Sequence, residues 1–426
     1  FCLKHVILEQ KDDKGVADVG EYKLLSRIYH DVKLRDTYTT VYEQRFNGDS
    51  TYKLPLAIKD TSTAEDMQLF VVLTPEIYET TIQISQLEEQ LQNLIAELPP
   101  AAIQGHLMNY ILVDELMKTN EIEGVHSTRK EISDAVAANK KREKEEKRKL
   151  RFINQVNQYM KILAENEFVI DTPQSLRTLY DEFLMGELKA DELPDGTIFR
   201  KDPVTVYSQT EKPLHTGLMP EQAIIMAVQS LINFYQDDTY PSFLRIAIAH
   251  YYLGYIHPFY DGNGRFGRLL SSILLAQEFD TLIALRLSVT IHENLKAYYR
   301  AFEAVNDRLN KGDATPFYTM FLHVIEQAAS ELLVDLTEKE AALIYAEENV
   351  KMLSDLDEEE KDTLYVMQQA SVFSNKNLSI NALMQNLKFS RNKMLRLLDS
   401  LERKGYITVD RQHKPYKYIL SEQFFA

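Results

Sequence analysis

Apolar residues along most of this chain recur three or four positions apart, the spacing that lines one face of a helix. "PEIYETTIQISQLEEQLQNLIAEL" (75–98) opens after a capping residue, Thr74, carries proline at its first turn, and stops at Pro99-Pro100. "AAIQGHLMNYILVDELMKTNEIEG" (101–124) predicts a second helix, with Gly124 as its stop. Further helices are predicted over 220–236, 241–255, 264–278, 291–311 and 316–350. Strand-like text is confined to three places. Residues 1–73 hold "TTVYEQRF" and "MQLFVVL", with a turn signal "NGD" at 47–49. The segment "DGTIFRKDPVTVYSQTEKPLHTG" (195–217) alternates β-branched and polar residues between turns, and predicts a hairpin. Near the C-terminus, "SINALMQNLKFSRNKMLRLLDSLERKGYITVDRQHKPYKYIL" gives two short helices joined by "KFSRN", then two strands around "DRQHKP". That is a helix-turn-helix with a wing. The expected fold is mainly α: a partly β N-terminal extension (1–73), a helical core (74–350) and a winged-helix domain (355–426).

Length and charge narrow the function. A chain of 426 residues can hold two or three domains with substantial cores. A net charge of −16 argues against a protein that coats nucleic acid, yet leaves room for a local basic patch. Residues 374–420 are such a patch, with ten Lys or Arg against three acids. The run "NKKREKEEKRKLR" (139–151) carries eight Lys or Arg and three Glu; Glu143 with Lys147 and Glu145 with Lys149 stand in the favourable order for a solvated helix face. A localisation signal or nucleic-acid patch is the alternative there. One cysteine, Cys2, cannot form an internal disulfide and favours a reducing, cytoplasmic setting. No apolar run approaches the roughly 20 residues of a membrane helix, so no membrane partner is expected. "FCLKHVILEQ" lacks the apolar core of a secretory signal, and a start on Phe1 rather than Met points to residues upstream.

"HPFYDGNGRFGRLL" (257–270) resists an ordinary reading. Leu269, Leu270, Ile273 and Leu274 lie at helical spacing, so a helix should begin near Gly264, with Arg265 and Arg268 in its first turns. Cations are disfavoured there by the helix dipole, and something anionic should compensate them. Turn dipeptides would explain the glycines but neither the histidine nor the arginines. Gly262-x-Gly264-x-x-Gly267 matches a dinucleotide fingerprint, and Asp280 lies 18 residues on, but the flanks read as helices rather than strand, helix, strand. A calcium loop would need regularly spaced oxygens and a closing glutamate.

An anion cradle accounts for each residue. Gly262 and Gly264 let backbone N–H groups converge at a helix start. Asn263 adds a neutral donor, and Arg265 and Arg268, three apart, clamp further phosphate oxygens of a di- or triphosphate. Asp261 would be repelled by phosphate unless a cation lay between, which assigns it to Mg²⁺. His257 is placed as general base. Pro258 should hold His257 extended, aiming its ring out of the preceding helix, and Phe259 should anchor the loop in the core.

The stretch resembles the signature of the Fic family, His-x-Phe-x-Asp/Glu-Gly-Asn-Gly-Arg-x-x-Arg, at every fixed position. The resemblance, over about residues 75 to 330, implies a Fic-type helical core that moves AMP from ATP onto a Tyr, Thr or Ser hydroxyl of a target protein or of the chain itself. His257 would deprotonate the hydroxyl, whose oxygen attacks the α-phosphate, while Mg²⁺ and arginine neutralise the departing pyrophosphate. "FRKDPVTVYS" resembles the family's flap (about 197–209; Val204, Thr205, Val206, Tyr207), which pairs with the target as an added strand; an ordinary hairpin is the alternative. "YYRAFEAVNDRLNKGD" resembles the lining of the adenine pocket and implicates Tyr298, Tyr299 and Asn306. "TNEIEG" (119–124) resembles the inhibitory motif Ser/Thr-x-x-x-Glu-Gly/Asn. It implies an inhibitory helix over about 100–124 whose Glu123 pairs bidentately with Arg268, where the γ-phosphate should bind. A surface glutamate before a helix-ending glycine is the plainer account. In some relatives the same glutamate serves the reverse reaction, removal of AMP. Transfer of another group, UMP or phosphocholine, stays open, as does a rival class: a DNA-binding regulator whose core only senses nucleotide. The winged helix could dock DNA through Arg391, Lys393 and Arg396, or a protein, or a second copy in a homodimer; a purely structural cap is the plainer alternative.

Overall fold

Aromatic spacing rather than β-branching decides the first long element of the computed structural model, which describes residues 22–421 except 61–62, 64, 140–149, 165–166, 208–212, 375–377 and 413–415. Cys2, the ion pairs of the 139–151 run and the tip of the predicted hairpin lie outside the described residues. "TTVYEQRF" is not the strand expected but helix α2 (Tyr38–Phe46), after a short α1 (Leu25–His30). Tyr42 and Phe46, one helical turn apart, both pack on Phe70, with ring centroids 6.1 and 5.3 Å away. That shared contact outweighs the weak strand preference of Thr39, Thr40 and Val41.

Strands β1 (Thr51–Lys59) and β2 (Asp66–Val72) form an antiparallel pair, with an irregularity in register between Lys53 and Ala57. Their inward residues Leu54, Leu56, Ile58, Leu69 and Val71 belong to the same apolar core as the central helices. The extension is thus packed into the core. Phe70 also exchanges backbone hydrogen bonds with Gly312 and Ala314.

Helix α3 (Pro75–Glu97) is capped by Thr74 as expected, whose Oγ1 accepts from Ile77 N at 3.2 Å. Next come α4 (Pro100–His106), a π-turn (Leu107–Ile111) and α5 (Leu112–Ile122). Helices α6 (Arg129–Asn139), α7 (Ile153–Leu163) and α8 (Pro173–Leu184) lead to the hairpin of β3 (Thr205–Tyr207) and β4 (Pro213–Thr216). Helix α9 (Glu221–Tyr235) precedes two helices that frame the motif, α10 (Ser242–Ile256) and α11 (Asn263–Glu278). The helix expected over 291–311 is split into α13 (Leu287–Glu293), after a short α12 (Thr281–Ala284), α14 (Leu295–Asn306) and a 3₁₀ turn at 308–310.

Helix α15 (Thr315–Met352), 38 residues and roughly 57 Å long, runs from the main core to a second apolar cluster. That cluster is built by α16 (Glu358–Ser374), α17 (Ile380–Leu387), α18 (Arg391–Arg403) and a three-stranded sheet. The sheet's order is β5-β7-β6, from β5 (Leu378–Ser379), β6 (Ile407–Asp410) and β7 (Lys417–Leu420). Two short helices followed by two strands is the order read from the sequence. Among the described residues no helix is long and apolar enough to cross a membrane.

Candidate active site

The loop between α10 and α11 is built around Phe259. Its buried ring stacks on Tyr180 at 3.5 Å between centroids and meets Phe199 and Phe266 edge-on, the anchoring role expected of it. Asn263 closes the loop: Phe259 N donates to its Oδ1 at 2.9 Å, and its Nδ2 donates to Phe259 O at 2.8 Å. The amide thus staples the loop, and Asn263 also lines the cavity into which His257 turns. Gly262 caps α11 at φ 74, a backbone conformation that favours glycine.

His257 departs from expectation. It is not extended before Pro258 but left-handed, φ 51 and ψ 61, as the cap that ends α10. This still turns its side chain into a cavity of about 320 Å³ shared with Glu123, Gly264, Gly267, Arg268 and Asn306. Burial first, then His215 and Arg200 nearby, push the His257 pKa down to about 3, so the ring is neutral.

Three carboxylates answer the puzzle of cations in the first turns of α11. Arg265 pairs with Glu187 and Asp261, each at 3.3 Å, and is buried among them. It does not line the cavity, whereas the phosphate clamp expected of it would require that. Arg268, 1% exposed, does line it. Its NH2 meets Glu123 Oε1 at 2.9 Å, while Nε and NH2 also donate to Thr119 Oγ1 and O, both at 2.9 Å. The pairing with Glu123 is through one nitrogen rather than bidentate, and Thr119 occupies the Nε and NH2 edge of the guanidinium. The first and fifth residues of "TNEIEG" thus grip one arginine. Burial works against the Arg268 charge, but Glu123 leads the groups that raise its pKa.

Local geometry explains how Glu123 gets there. Gly124 at φ 69 ends α5 in a Schellman motif: Val125 N donates to Asn120 O at 2.9 Å and Gly124 N to Glu121 O at 3.0 Å. Glu123 is left at the cap and lies over the first turn of α11. A β-carbon on Gly264 would stand 2.1 Å from its Oε1. A carboxylate there occupies the place a helix N-terminus offers to an anion. Upstream, the buried Glu115 accepts from Ser288 N at 2.8 Å and Val289 N at 3.4 Å, tying α5 to the start of α13.

Asp261, which is not among the residues lining the cavity, keeps a half-exposed carboxylate, 45% exposed, with Oδ1 accepting from Gly262 N at 2.6 Å. No group of three or more His, Cys, Asp or Glu able to hold a metal occurs among the described residues. A lone carboxylate fits Mg²⁺ that takes its other ligands from phosphates and water.

At the far end, Tyr298 and Asn306 are both fixed from α10. His250 Nε2 meets Tyr298 OH at 2.7 Å, and Tyr251 OH donates to Asn306 Oδ1 at 2.7 Å. Tyr299 lines the cavity beside them, with Phe302 and Glu303. Of the hairpin, Val206 reaches the cavity; Val204 and Thr205 are half-buried, and Val206 pairs with His215 across β3 and β4. Tyr207 pairs with Pro213 in the backbone register. Reading the motif alone missed His250, His215 and Arg200. His250, Gly254 and His257 stand at i, i+4 and i+7 on α10, a spacing that would have found the first; His215 and Arg200 carry no such local signal.

Comparison with known proteins identifies the segment that carries this loop. Residues 171–275 match the Fic/DOC family model. A Fic family protein from Desulfovibrio desulfuricans G20 superposes with a TM-score of 0.52 at 20% identity, covering 82% of this chain and 97% of its own. A Fic domain containing signaling protein from Bacteroides thetaiotaomicron is similar at a TM-score of 0.40 and 18% identity, over 60% of this chain and 97% of that one. A Fic-1 fragment from C. elegans also scores 0.40, at 17% identity, over 62% of this chain and 72% of that one. Residues 171–275 of this mostly helical chain are a Fic/DOC family domain.

Proposed function

We propose that this chain is a protein adenylyltransferase that moves AMP from ATP to a Tyr, Thr or Ser hydroxyl of a target protein or of itself, and that Glu123 holds it in check. Fic-domain proteins transfer nucleotide-derived groups onto proteins. The observation that carries the finer reading is the meeting of His257, the first turn of α11, Arg268 and Glu123 around one cavity. Neutral His257 would take the proton from the target hydroxyl; the oxygen then attacks the α-phosphate, and pyrophosphate leaves. The α11 N-terminus and Arg268 would carry the phosphate charge once Glu123 withdraws. Asp261 would hold Mg²⁺, which neutralises charge on the phosphates when bound. Tyr298, Tyr299 and Asn306 would flank the base, and the edge of β3 would take the target as an added strand.

The test is label transfer from ATP labelled in the α-phosphate. Glu123→Gly should raise transfer on the order of 10²-fold, the scale of loss that misplacement by about 1 Å produces. The double variant Glu123→Gly/His257→Ala should show none. Unchanged transfer in the single variant would refute the brake, and persistent label in the double would refute the base. Removal of AMP by the same site, with Glu123 positioning a water, is the companion activity; release of label by wild type but not by Glu123→Gly would reveal it.

For the C-terminal unit we infer a docking role, for DNA or for a protein. Arg391 and Arg396 on α18 are exposed, whereas Lys393, Lys404 and Arg411 are paired with Glu359, Glu360 and Glu402. Two free cations on that helix favour protein over DNA. One cysteine in 426 residues supports a cytoplasmic setting.

A further inference from the structure

Arg200 is fully buried, and among the described residues no carboxylate stands within ion-pairing distance of it. An unpaired buried cation is costly, so the fold must gain something by keeping it. Its donors go to oxygen and sulfur acceptors from three directions. Nε donates to His257 O at 2.9 Å, NH1 to Asp202 O at 2.7 Å and Met219 Sδ at 3.2 Å, and NH2 to Leu218 O at 2.9 Å. Asp202 leads into β3 and Leu218 follows β4, so one guanidinium holds both legs of the hairpin and the carbonyl of His257.

The surrounding backbone is shaped for this. Arg200 N donates to Pro258 O at 3.4 Å, Leu218 N to Ile256 O at 3.0 Å and Gly217 N to Val204 O at 3.0 Å. A β-carbon on Gly217 would lie 2.4 Å from Arg200 NH2 and 2.9 Å from His257 Cβ, so only glycine leaves room for both side chains. His257 holds a left-handed backbone that a residue with a β-carbon adopts under strain, and it must be retained there by its surroundings.

We propose that Arg200 is a positioning residue that sets the His257 base and the hairpin as one unit, keeping the attacking hydroxyl in register with its proton acceptor. This rests on the transferase reading above. Nothing of it requires Arg200 to touch nucleotide.

The test uses the full chain in the Glu123→Gly background, with Arg200→Gln, Arg200→Lys and Gly217→Ala. Arg200→Gln should lower kcat for target modification on the order of 10²-fold with KM for ATP little changed, because alignment rather than nucleotide binding is lost. Arg200→Lys keeps charge without the planar fork and should fall between. Gly217→Ala, with Arg200 present but displaced, should repeat the kcat loss. A second readout needs no catalysis: NMR titration of the His257 imidazole. Arg200 and His215 both act against its protonation, so Arg200→Gln should raise its titration point. Parent-level kcat together with an unmoved titration in folded Arg200→Gln would overturn the proposal. Absence of label in the Glu123→Gly parent would instead sink the transferase reading, and the titration would then decide on Arg200 alone. Should Arg200→Gln fail to fold, Arg200→Lys and Gly217→Ala carry the same two readouts.

Discussion

His250 stands in the wall of the cavity, 5% exposed, with its ring nitrogens committed to Ser271 Oγ and Tyr298 OH at 2.7 Å each. Burial, then Arg268, push its pKa down to about 3. The sign of the consequence follows from linkage. The unfolded chain takes up this proton near pH 6.5, the folded chain only near 3, so the contribution is full above about 6.5 and is lost as pH falls through that window. The loss approaches about 1.4 kcal/mol per pH unit for one such group. Thermal melts of wild type should therefore drop more steeply between pH 6.5 and 4 than those of His250→Gln; His257 titrates in both, so the difference isolates His250. Parallel slopes would show that His250 is not held neutral. At this scale the motif residues were legible because each has a chemical reason in the local text. The pairing of Arg265 with Glu187 was not legible, because Glu187 arrives from elsewhere in the chain.

Among elements, the short stretch from α5 to Gly124 decides where Glu123 points. A β-carbon on Gly124 meets nothing within 4 Å, so Gly124→Ala is a test of backbone strain alone. At φ 69 it should cost roughly 1 kcal/mol and loosen the Schellman closure. Basal transfer should then rise about fivefold, well below Glu123→Gly, since about 1 kcal/mol shifts an equilibrium by that factor. No change in basal transfer would mean that the cap does not hold Glu123 in place. The helix, its glycine stop and the "TNEIEG" spacing were all readable in sequence. The grip of Thr119 on Arg268, which turns the expected two-pronged pair into a shared one, was not. It depends on how close α5 and α11 pack.

Across the whole molecule, α15 links the two apolar clusters, and α16 lies against α4, just before the π-turn and α5. Phe373, at the end of α16, is buried in the main core with its ring edge toward His106, 6.0 Å between centroids. Phe373→Ala should destabilise by about 3–5 kcal/mol, the usual range for a truncated core phenylalanine, read as a lowered midpoint in urea. A loss under about 1 kcal/mol would mean that α16 does not share the main core. Such coupling would give a partner on the C-terminal unit a physical route to the brake helix.

The pairing of Glu123 with Arg268, 145 residues apart, was implied only by the family resemblance; by itself the sequence determined the mostly helical plan, the hairpin and the glycine- and arginine-rich turn that opens α11. Each is encoded in spacings of a few residues, where helix period, turn residues and charge act locally. Tertiary structure alone decided that "TTVYEQRF" is a helix, that His257 is left-handed, and that Asn263 staples its own loop. It also decided that a buried arginine 57 residues upstream donates to the carbonyl of His257. These depend on contacts between segments distant in the chain, such as Phe70 with Phe46 or Arg200 with His257, whose free energies outweigh local preference and leave no trace in a short window of sequence.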